Sequence, residues 1–187
     1  MKEFLQSFEI LTSDEIESFI SLLRPKTVNK GSYYIKAGQV AKEVSFIQSG
    51  IARSFYYSST SEEVTYCFRS ENSFLAAYSS FISQTPTSEN IQALTDLKLL
   101  SVSWQEVKRL EATSPNWLRM LKHLTELEYI DMEARIFQLQ RETAEKRYQD
   151  LLNNQPEYLN MIPLNYIASY LGITQRHLSR IRKGISN

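Results

Sequence analysis

Residues 164–183 read LNYIASYLGITQRHLSRIRK, and the spacing of their apolar positions predicts two short helices joined by a tight turn. Ile167 and Leu171, four apart, share one helical face. Leu178 and Ile181, three apart, share another, and Ile173 falls in the corner between them. Gly172 follows the last turn of the first helix, where a positive φ lets the chain swing round and a Cβ would be penalised. Ala168 suits a close crossing, because a larger side chain there would hold the two helices apart. Thr174 stands at the N-cap of the second helix, its hydroxyl free to accept an amide of the first turn.

With Leu178 and Ile181 turned inward, Gln175, Arg176, Ser179, Arg180 and Lys183 point outward and Arg182 flanks them. Arginine can grip O6 and N7 of guanine with two donors, glutamine can pair with adenine, and serine can adapt to a base or a phosphate. Gln175, Arg176, Ser179 and Arg180 lie in the first two turns, which suit base edges in a major groove; Arg182 and Lys183 lie where backbone phosphates are the nearer partners. The plainer alternative is a helical hairpin with a solvated basic face. Charge favours the nucleic-acid reading. Residues 158–187 contain Arg176, Arg180, Arg182 and Lys183 and no acidic residue, a formal +4, while the whole chain is formally neutral, which leaves the first 157 residues at −4. A basic tail on an acidic body is the electrostatic footprint of a phosphate-binding module.

At 187 residues and 42% apolar content the chain suits one large domain or two small ones with a packed core. Its first ten residues hold two acidic side chains and no long apolar run, so no secretory signal is expected, and nowhere is there a stretch able to span a bilayer. The expectation is a cytoplasmic protein with no membrane partner. Cys67 is the only cysteine, which excludes an internal disulfide and a four-cysteine metal or iron–sulfur site. His123 and His177 sit in separate helical segments, so no metal, no cofactor and no histidine-based triad is expected, and His123 reads as a helix-surface residue. The carboxylate pairs Asp14 with Glu15 and Glu62 with Glu63 are adjacent in sequence and look like solvated charges, not a converging acid and base. No catalytic residue is expected, and the chain does not read as an enzyme.

Thr12 with Glu15 three residues on has capping-box spacing, and Ile16, Phe19, Ile20 and Leu23 follow on one face, so a helix is expected to end before Pro25. From Lys30 to Val102 the texture changes to β-branched and aromatic runs over 33–36, 44–48, 51–57, 64–69, 91–94 and 97–102, with Gly31, Gly38 and Gly50 between runs. This predicts an antiparallel barrel or roll, with a jelly roll fitting best. Ser103 can cap a helix over 104–111. Ser114 and Pro115 open a much longer helix with no Gly or Pro from Asn116 to Asn154, expected to break or bend near Arg141. Leu121, Leu124, Leu127, Ala134 and Leu139 give it one apolar stripe, and Tyr129, Met132 and Ile136 a neighbouring one. Two stripes need two partners: one can pack on the roll, the other on the same helix of a second subunit; the alternative is that both pack within one chain.

The fold class is therefore α+β: an N-terminal antiparallel β jelly roll with a leading helix (1–113), a long connecting dimerisation helix (114–141) and a C-terminal helix-turn-helix (142–187). A run of residues, Ala144, Glu145, Lys146, Arg147, Tyr148, Leu151 and Leu152, then Ile162, Pro163 and Leu164, continues into Ile167, Ala168, Tyr170, Leu171 and Gly172 and on to Leu178, Ser179, Arg180 and Ile181. Through it, and through the order of its parts over nearly its full length, the chain resembles the Crp/Fnr family of transcription regulators. The resemblance implies a roll that senses a small molecule, a helix that dimerises, and a terminal module that binds a promoter, with Gln175, Arg176 and Arg180 at the matching base-reading positions; with the reading of the helix face, the expected DNA-binding set is Thr174, Gln175, Arg176, Ser179, Arg180, Arg182 and Lys183. It further implies double-stranded DNA and a second subunit as partners, RNA polymerase as another, and an unidentified small-molecule effector.

The sensing site departs from the family. Members that bind cyclic nucleotides carry a Gly-Glu step and an Arg followed by Ser or Thr; here the first stretch is Ser73, Phe74, Leu75, Ala76, Ala77, Tyr78, and Thr87 followed by Ser88 stands at the arginine position. A buried phosphate with no bidentate cation keeps its desolvation cost and loses its charge-assisted bonds. Glu89 nearby makes the site more hostile, so dependence on a cyclic nucleotide is not expected, whereas a neutral ligand or an anion held by backbone amides stays open. Tyr78, Thr87, Ser88 and Asn90 are the candidate pocket-lining groups, with surface-loop duty as their alternative. A second departure is that the sequence reaches only Asn187, without the C-terminal hairpin many relatives add, which predicts weak, strongly salt-sensitive binding per subunit. The leading expectation is a homodimeric DNA-binding regulator whose recognition helices, about 175–183, enter successive major grooves about 34 Å apart. The competing class is a small-molecule sensor or protein-interaction module with a non-functional DNA reader.

Overall fold

Thr12 and Glu15 form the capping box that their spacing predicts: the Thr12 hydroxyl accepts the Glu15 amide while the Glu15 carboxylate accepts the Thr12 amide, and α2 (Ser13–Leu22) begins there. The computed structural model describes residues 1–185. A short α1 (Lys2–Gln6) precedes α2 and buries Leu5. Sequence periodicity does not announce it, because five residues are too few to show a helical repeat.

Eight strands follow: β1 (Arg24–Val28), β2 (Tyr33–Ile35), β3 (Glu43–Ser49), β4 (Ala52–Tyr57), β5 (Glu63–Arg69), β6 (Phe74–Leu75), β7 (Asn90–Ala93) and β8 (Leu97–Ser103). They form two four-stranded sheets, ordered β1-β8-β3-β6 and β2-β7-β4-β5. Every pairing with a described register is antiparallel, as a roll requires. Six strands coincide with the expected runs. β1 does not, because Pro25 and Lys26 argue against a strand; it survives as an edge strand, where a missing backbone donor is tolerated. β6 is too short to carry a pattern, and α3 (Tyr78–Ser83) fills the β6–β7 connection where no helix was expected.

The core is built from inward-facing positions of both sheets, among them Ile47, Leu97 and Leu99 on one and Ile35, Ala52, Ile91 and Ala93 on the other. Lys98 between two buried leucines of β8 faces out, the two-residue alternation of a half-buried strand. Ser103 and Glu106 make a second capping box and start α4 (Trp104–Thr113). α5 (Pro115–Arg141) then runs 27 residues, stops at the expected break, and is followed by α6 (Ala144–Asn154), capped by the Thr143 hydroxyl. At its start Trp117 and Met120 are buried, with Leu121 and Leu124 packed beside them, and the Trp117 ring lies 4.7 Å from that of Phe19. Only the front of the first predicted stripe is therefore covered; Leu127, Ala134 and Leu139 are exposed. His123 lies on α5 as expected and is part-buried there, its ring 5.3 Å edge-on from that of Phe8.

Backbone proximity groups the described chain into two compact units. One comprises Met1–Tyr56 with Phe68–Glu126; the other comprises Tyr57–Cys67, the tip of the β4–β5 hairpin, with the chain from Leu127 onward. The second unit holds the far half of α5, α6, α7 (Pro156–Met161), α8 (Leu164–Tyr170) and α9 (Gln175–Ile185). α7 was not expected; Pro156 starts it at the first helical position, where the absent amide costs nothing.

Candidate nucleic-acid interface

α8 ends in a Schellman turn. The Ile173 amide donates to the Ala168 carbonyl at 3.0 Å and the Gly172 amide to the Ser169 carbonyl at 3.0 Å, with Gly172 at φ +68°. This is the bend that positions the next helix, and it needs a residue that reaches the left-handed region cheaply. Thr174 then caps α9: its hydroxyl accepts the His177 amide at 3.2 Å, and its carbonyl accepts the Leu178 amide at 3.0 Å. Ile167, Ala168, Leu171, Leu178 and Ile181 are all buried, with Leu178 at 0% exposure, so the apolar stripes of both helices are spent on packing. Tyr148, Leu151, Tyr158 and Ile162 of the preceding segments are buried in the same unit.

Consumption of that stripe leaves the opposite side of α9 in solvent. Thr174, Gln175, Arg176, His177, Ser179, Arg180, Arg182 and Lys183 are exposed, so all seven residues of the predicted DNA-binding set lie on one exposed surface of one short element. Ser179 also donates its hydroxyl back to the Gln175 carbonyl at 3.0 Å, which leaves its oxygen to accept. α9 carries no acidic residue, and among the described residues Arg176, Arg180 and Lys183 have no ion-pair partner. His177 lies 3.8 Å from the Glu145 carboxylate. Glu145 is held below the ordinary glutamate range first by its own backbone amide at the start of α6, and further by Thr143 and His177.

Three side chains that the sequence does not mark as functional fix the turn from behind. Arg135 of α5 donates to the Tyr170 carbonyl and stacks its guanidinium 3.8 Å over the Tyr170 ring. Burial pulls the Arg135 pKa below the usual arginine value, and the neighbouring Tyr170 and Cys67 oppose that shift. Arg147 of α6, nearly buried, donates Nε–H to the Leu171 carbonyl at 3.0 Å and a second donor to the Glu142 carbonyl. Ser169 binds the β5 backbone twice, accepting from the Thr65 amide at 2.9 Å and donating to the Glu63 carbonyl at 3.0 Å. Residues 169–171 thus have their side chain or carbonyl claimed in turn. The single legible hint was Arg147 inside an otherwise amphipathic run; Arg135 and Ser169 reach partners 35 and more than 100 residues away, which no local pattern reports.

The four candidate pocket residues differ in their settings. Thr87 is buried, its amide spent on the Gln39 carbonyl and its carbonyl on the Gly38 amide, each at 2.8 Å, while its hydroxyl accepts the Glu89 amide at 3.1 Å. Asn90 is buried beside it in sequence and accepts the Ala37 amide at 3.1 Å through Oδ1. Ser88 is exposed. Tyr78 opens α3 and exchanges a 2.7 Å hydrogen bond with Thr125 of α5. The Thr87 amide is therefore engaged, and neither Thr87 nor Ser88 carries a cationic side chain that could grip a phosphate bidentately. Arg53 escaped the sequence reading; it lies fully buried in β4 with its guanidinium 4.2 Å over the Phe55 ring. Among the described residues no group of His, Cys, Asp and Glu is placed to hold a metal ion, and no helix is long and apolar enough to cross a membrane.

Residues 25–114 match the cyclic nucleotide-binding domain family. Solved structures with the same fold include FixK2 from Bradyrhizobium japonicum (TM-score 0.77, 18% identity, 88% of this chain and 84% of that one). The c-di-GMP-responsive global regulator CLP of Xanthomonas campestris aligns with TM-score 0.73 and 16% identity over 94% of this chain and 92% of its own. A protein of Eubacterium rectale assigned to the Crp/Fnr family of transcriptional regulators aligns with TM-score 0.76 and 17% identity over 98% of this chain and 88% of its own. At these identities the likeness is one of fold, and it is the fold that the sequence resemblance implies. No match to the sequence is found among curated proteins.

Proposed function

We propose that this chain, which has a cyclic nucleotide-binding-type roll and the fold of Crp/Fnr regulators, is itself a DNA-binding transcription regulator of that type and acts by binding, not by catalysis. One observation carries the reading. Leu178 and Ile181 are buried, so α9 is held by its apolar side and offers duplex DNA a face made of amide, hydroxyl and cationic groups with no carboxylate on the helix. Gln175, Arg176, Ser179 and Arg180 address base edges from the first two turns, whereas Thr174, Arg182 and Lys183 hold phosphates.

The active species is a homodimer. Tyr129, Ile130, Met132, Ile136 and Phe137 are 47–61% exposed on the far half of α5, and 129, 132, 136 and 139 recur at helical spacing. Such a strip is larger than isolated surface apolar residues require, and an identical helix related by two-fold symmetry covers it while setting two α9 faces in register with two half-sites. On this reading 1–113 is the sensing-like domain, 114–141 the dimer helix and 142–187 the reader, with promoter DNA as partner and RNA polymerase met there. Control does not pass through a cyclic nucleotide, because the groups at Thr87 and Ser88 lack a bidentate cation.

Selection of bound duplexes from a randomised pool tests it. The expected result is a consensus with two-fold symmetry and half-site centres about 10 base pairs apart. Absence of any enriched sequence at low ionic strength rejects the reading.

A further inference from the structure

β5 is the outer strand of its sheet, in the order β2-β7-β4-β5, and an outer strand exposes backbone donors and acceptors that must find partners elsewhere. At Glu63 and Thr65 one side chain meets both a carbonyl and an amide. Ser169 Oγ accepts the Thr65 amide at 2.9 Å and donates to the Glu63 carbonyl at 3.0 Å, one donor and one acceptor, which is what one residue of an added strand supplies. Thr65 is buried, so its amide has little recourse to water if that hydroxyl leaves.

Ser169 is also the residue whose carbonyl accepts the Gly172 amide in the turn that launches α9. The next residue, Tyr170, is held by Arg135 through its carbonyl and its ring, and the one after, Leu171, by Arg147 through its carbonyl. All of these contacts lie within one compact unit, which includes the hairpin tip Tyr57–Cys67.

We infer that Ser169 is a positioning residue for the reading helix: by completing the open edge of β5 it fixes the end of α8, and with it the direction in which α9 leaves the turn. The inference rests on the reading of α9 as a DNA reader. It goes beyond it by making the β4–β5 hairpin tip a working part of the head, so that any ligand or partner bending 57–67 redirects α9.

The test is amide hydrogen exchange on the full chain, comparing the native protein with Ser169→Ala and Ser169→Thr, joined to operator binding. Alanine is the better helix former, so melting of α8 by propensity does not explain a loosened turn. Ser169→Ala is expected to speed exchange about tenfold at Thr65 and across the amides of 172–178, and to weaken specific but not random DNA binding by a similar factor; Ser169→Thr, which keeps the hydroxyl, restores both. Faster exchange at Thr65 with 172–178 unchanged overturns the inference, as does no change at either. A native chain that selects no DNA sequence removes the proposed function alone, and exchange at 172–178 still decides the role of Ser169.

Discussion

The Arg135 guanidinium carbon lies over the Tyr170 ring, 3.8 Å from its centre, while the group donates to the carbonyl of the same residue. One planar cation thereby holds both the side chain and the backbone of the last residue of α8, and the planarity is what allows it. Replacing Arg135 with Ala is expected to cost about 2 kcal/mol in the stability of the unit that contains α8, from a lost cation–π contact and a lost charge-assisted bond. Arg135→Lys, which keeps the charge and loses the flat face, should recover less than half of that. Urea unfolding followed by exchange at the α8 amides measures both, and full recovery by lysine would show that charge alone matters.

Arg180 is exposed in the second turn of α9 and has no ion-pair partner among the described residues. Arg180→Ala is expected to weaken binding to a selected operator by about 1–3 kcal/mol and to relax preference at one base position. An equal loss on operator and random DNA, read by titration at fixed salt, would move Arg180 to the phosphate-holding group.

Met132 and Ile136 are 60% and 47% exposed on one side of α5. A glutamate at either position is expected to turn a dimer into a monomer in sedimentation at micromolar concentration, because a charge buried against its own copy is unpaired. Operator affinity should fall with it. If the native chain sediments as a monomer at every concentration, the two-fold arrangement is wrong.

Leu178 is fully buried beneath the reading face. Leu178→Ala is expected to destabilise the head by about 3 kcal/mol through lost burial and a residual cavity. Thermal melts of the two proteins check this; a loss below about 1 kcal/mol would show that the site collapses around the smaller side chain.

Glu15 gives a pH prediction. Burial pushes its pKa up, but bonds from the Ser114 hydroxyl, the Thr12 amide, the Asn116 amide and the Thr12 hydroxyl outweigh it and hold the carboxyl near pKa 2 against an ordinary 4.5. A group depressed in the folded state contributes stability that is present above its unfolded pKa and lost as pH falls towards the folded one. The contribution, about 1 kcal/mol once solvent screening at a partly exposed carboxylate is allowed for, should therefore fade between pH 4.5 and about 2. Glu15→Gln should flatten that part of the acid limb; an unchanged limb would mean that other carboxylates set it.

The sequence by itself determined those parts whose cause is local. Thr12 with Glu15, Ser103 with Glu106 and Thr174 ahead of α9 cap helices through neighbours three residues away, so spacing suffices to see them. Gly172 declares the turn by its conformational freedom, and Leu178 with Ile181 declare which side of α9 is hidden, which in turn leaves the basic side outside. Alternation likewise revealed six strands, while β1 was masked by Pro25 and β6 by its length. The tertiary structure alone decided what is held by distant partners. That Arg135 grips Tyr170, that Arg147 reaches Leu171, that Ser169 meets the edge of β5, and that the Thr87 amide is engaged by Gln39 all depend on segments brought together across tens of residues. Hydrogen bonds and stacking act at contact range, and a linear pattern records only the contacts that the local helix or strand repeat creates.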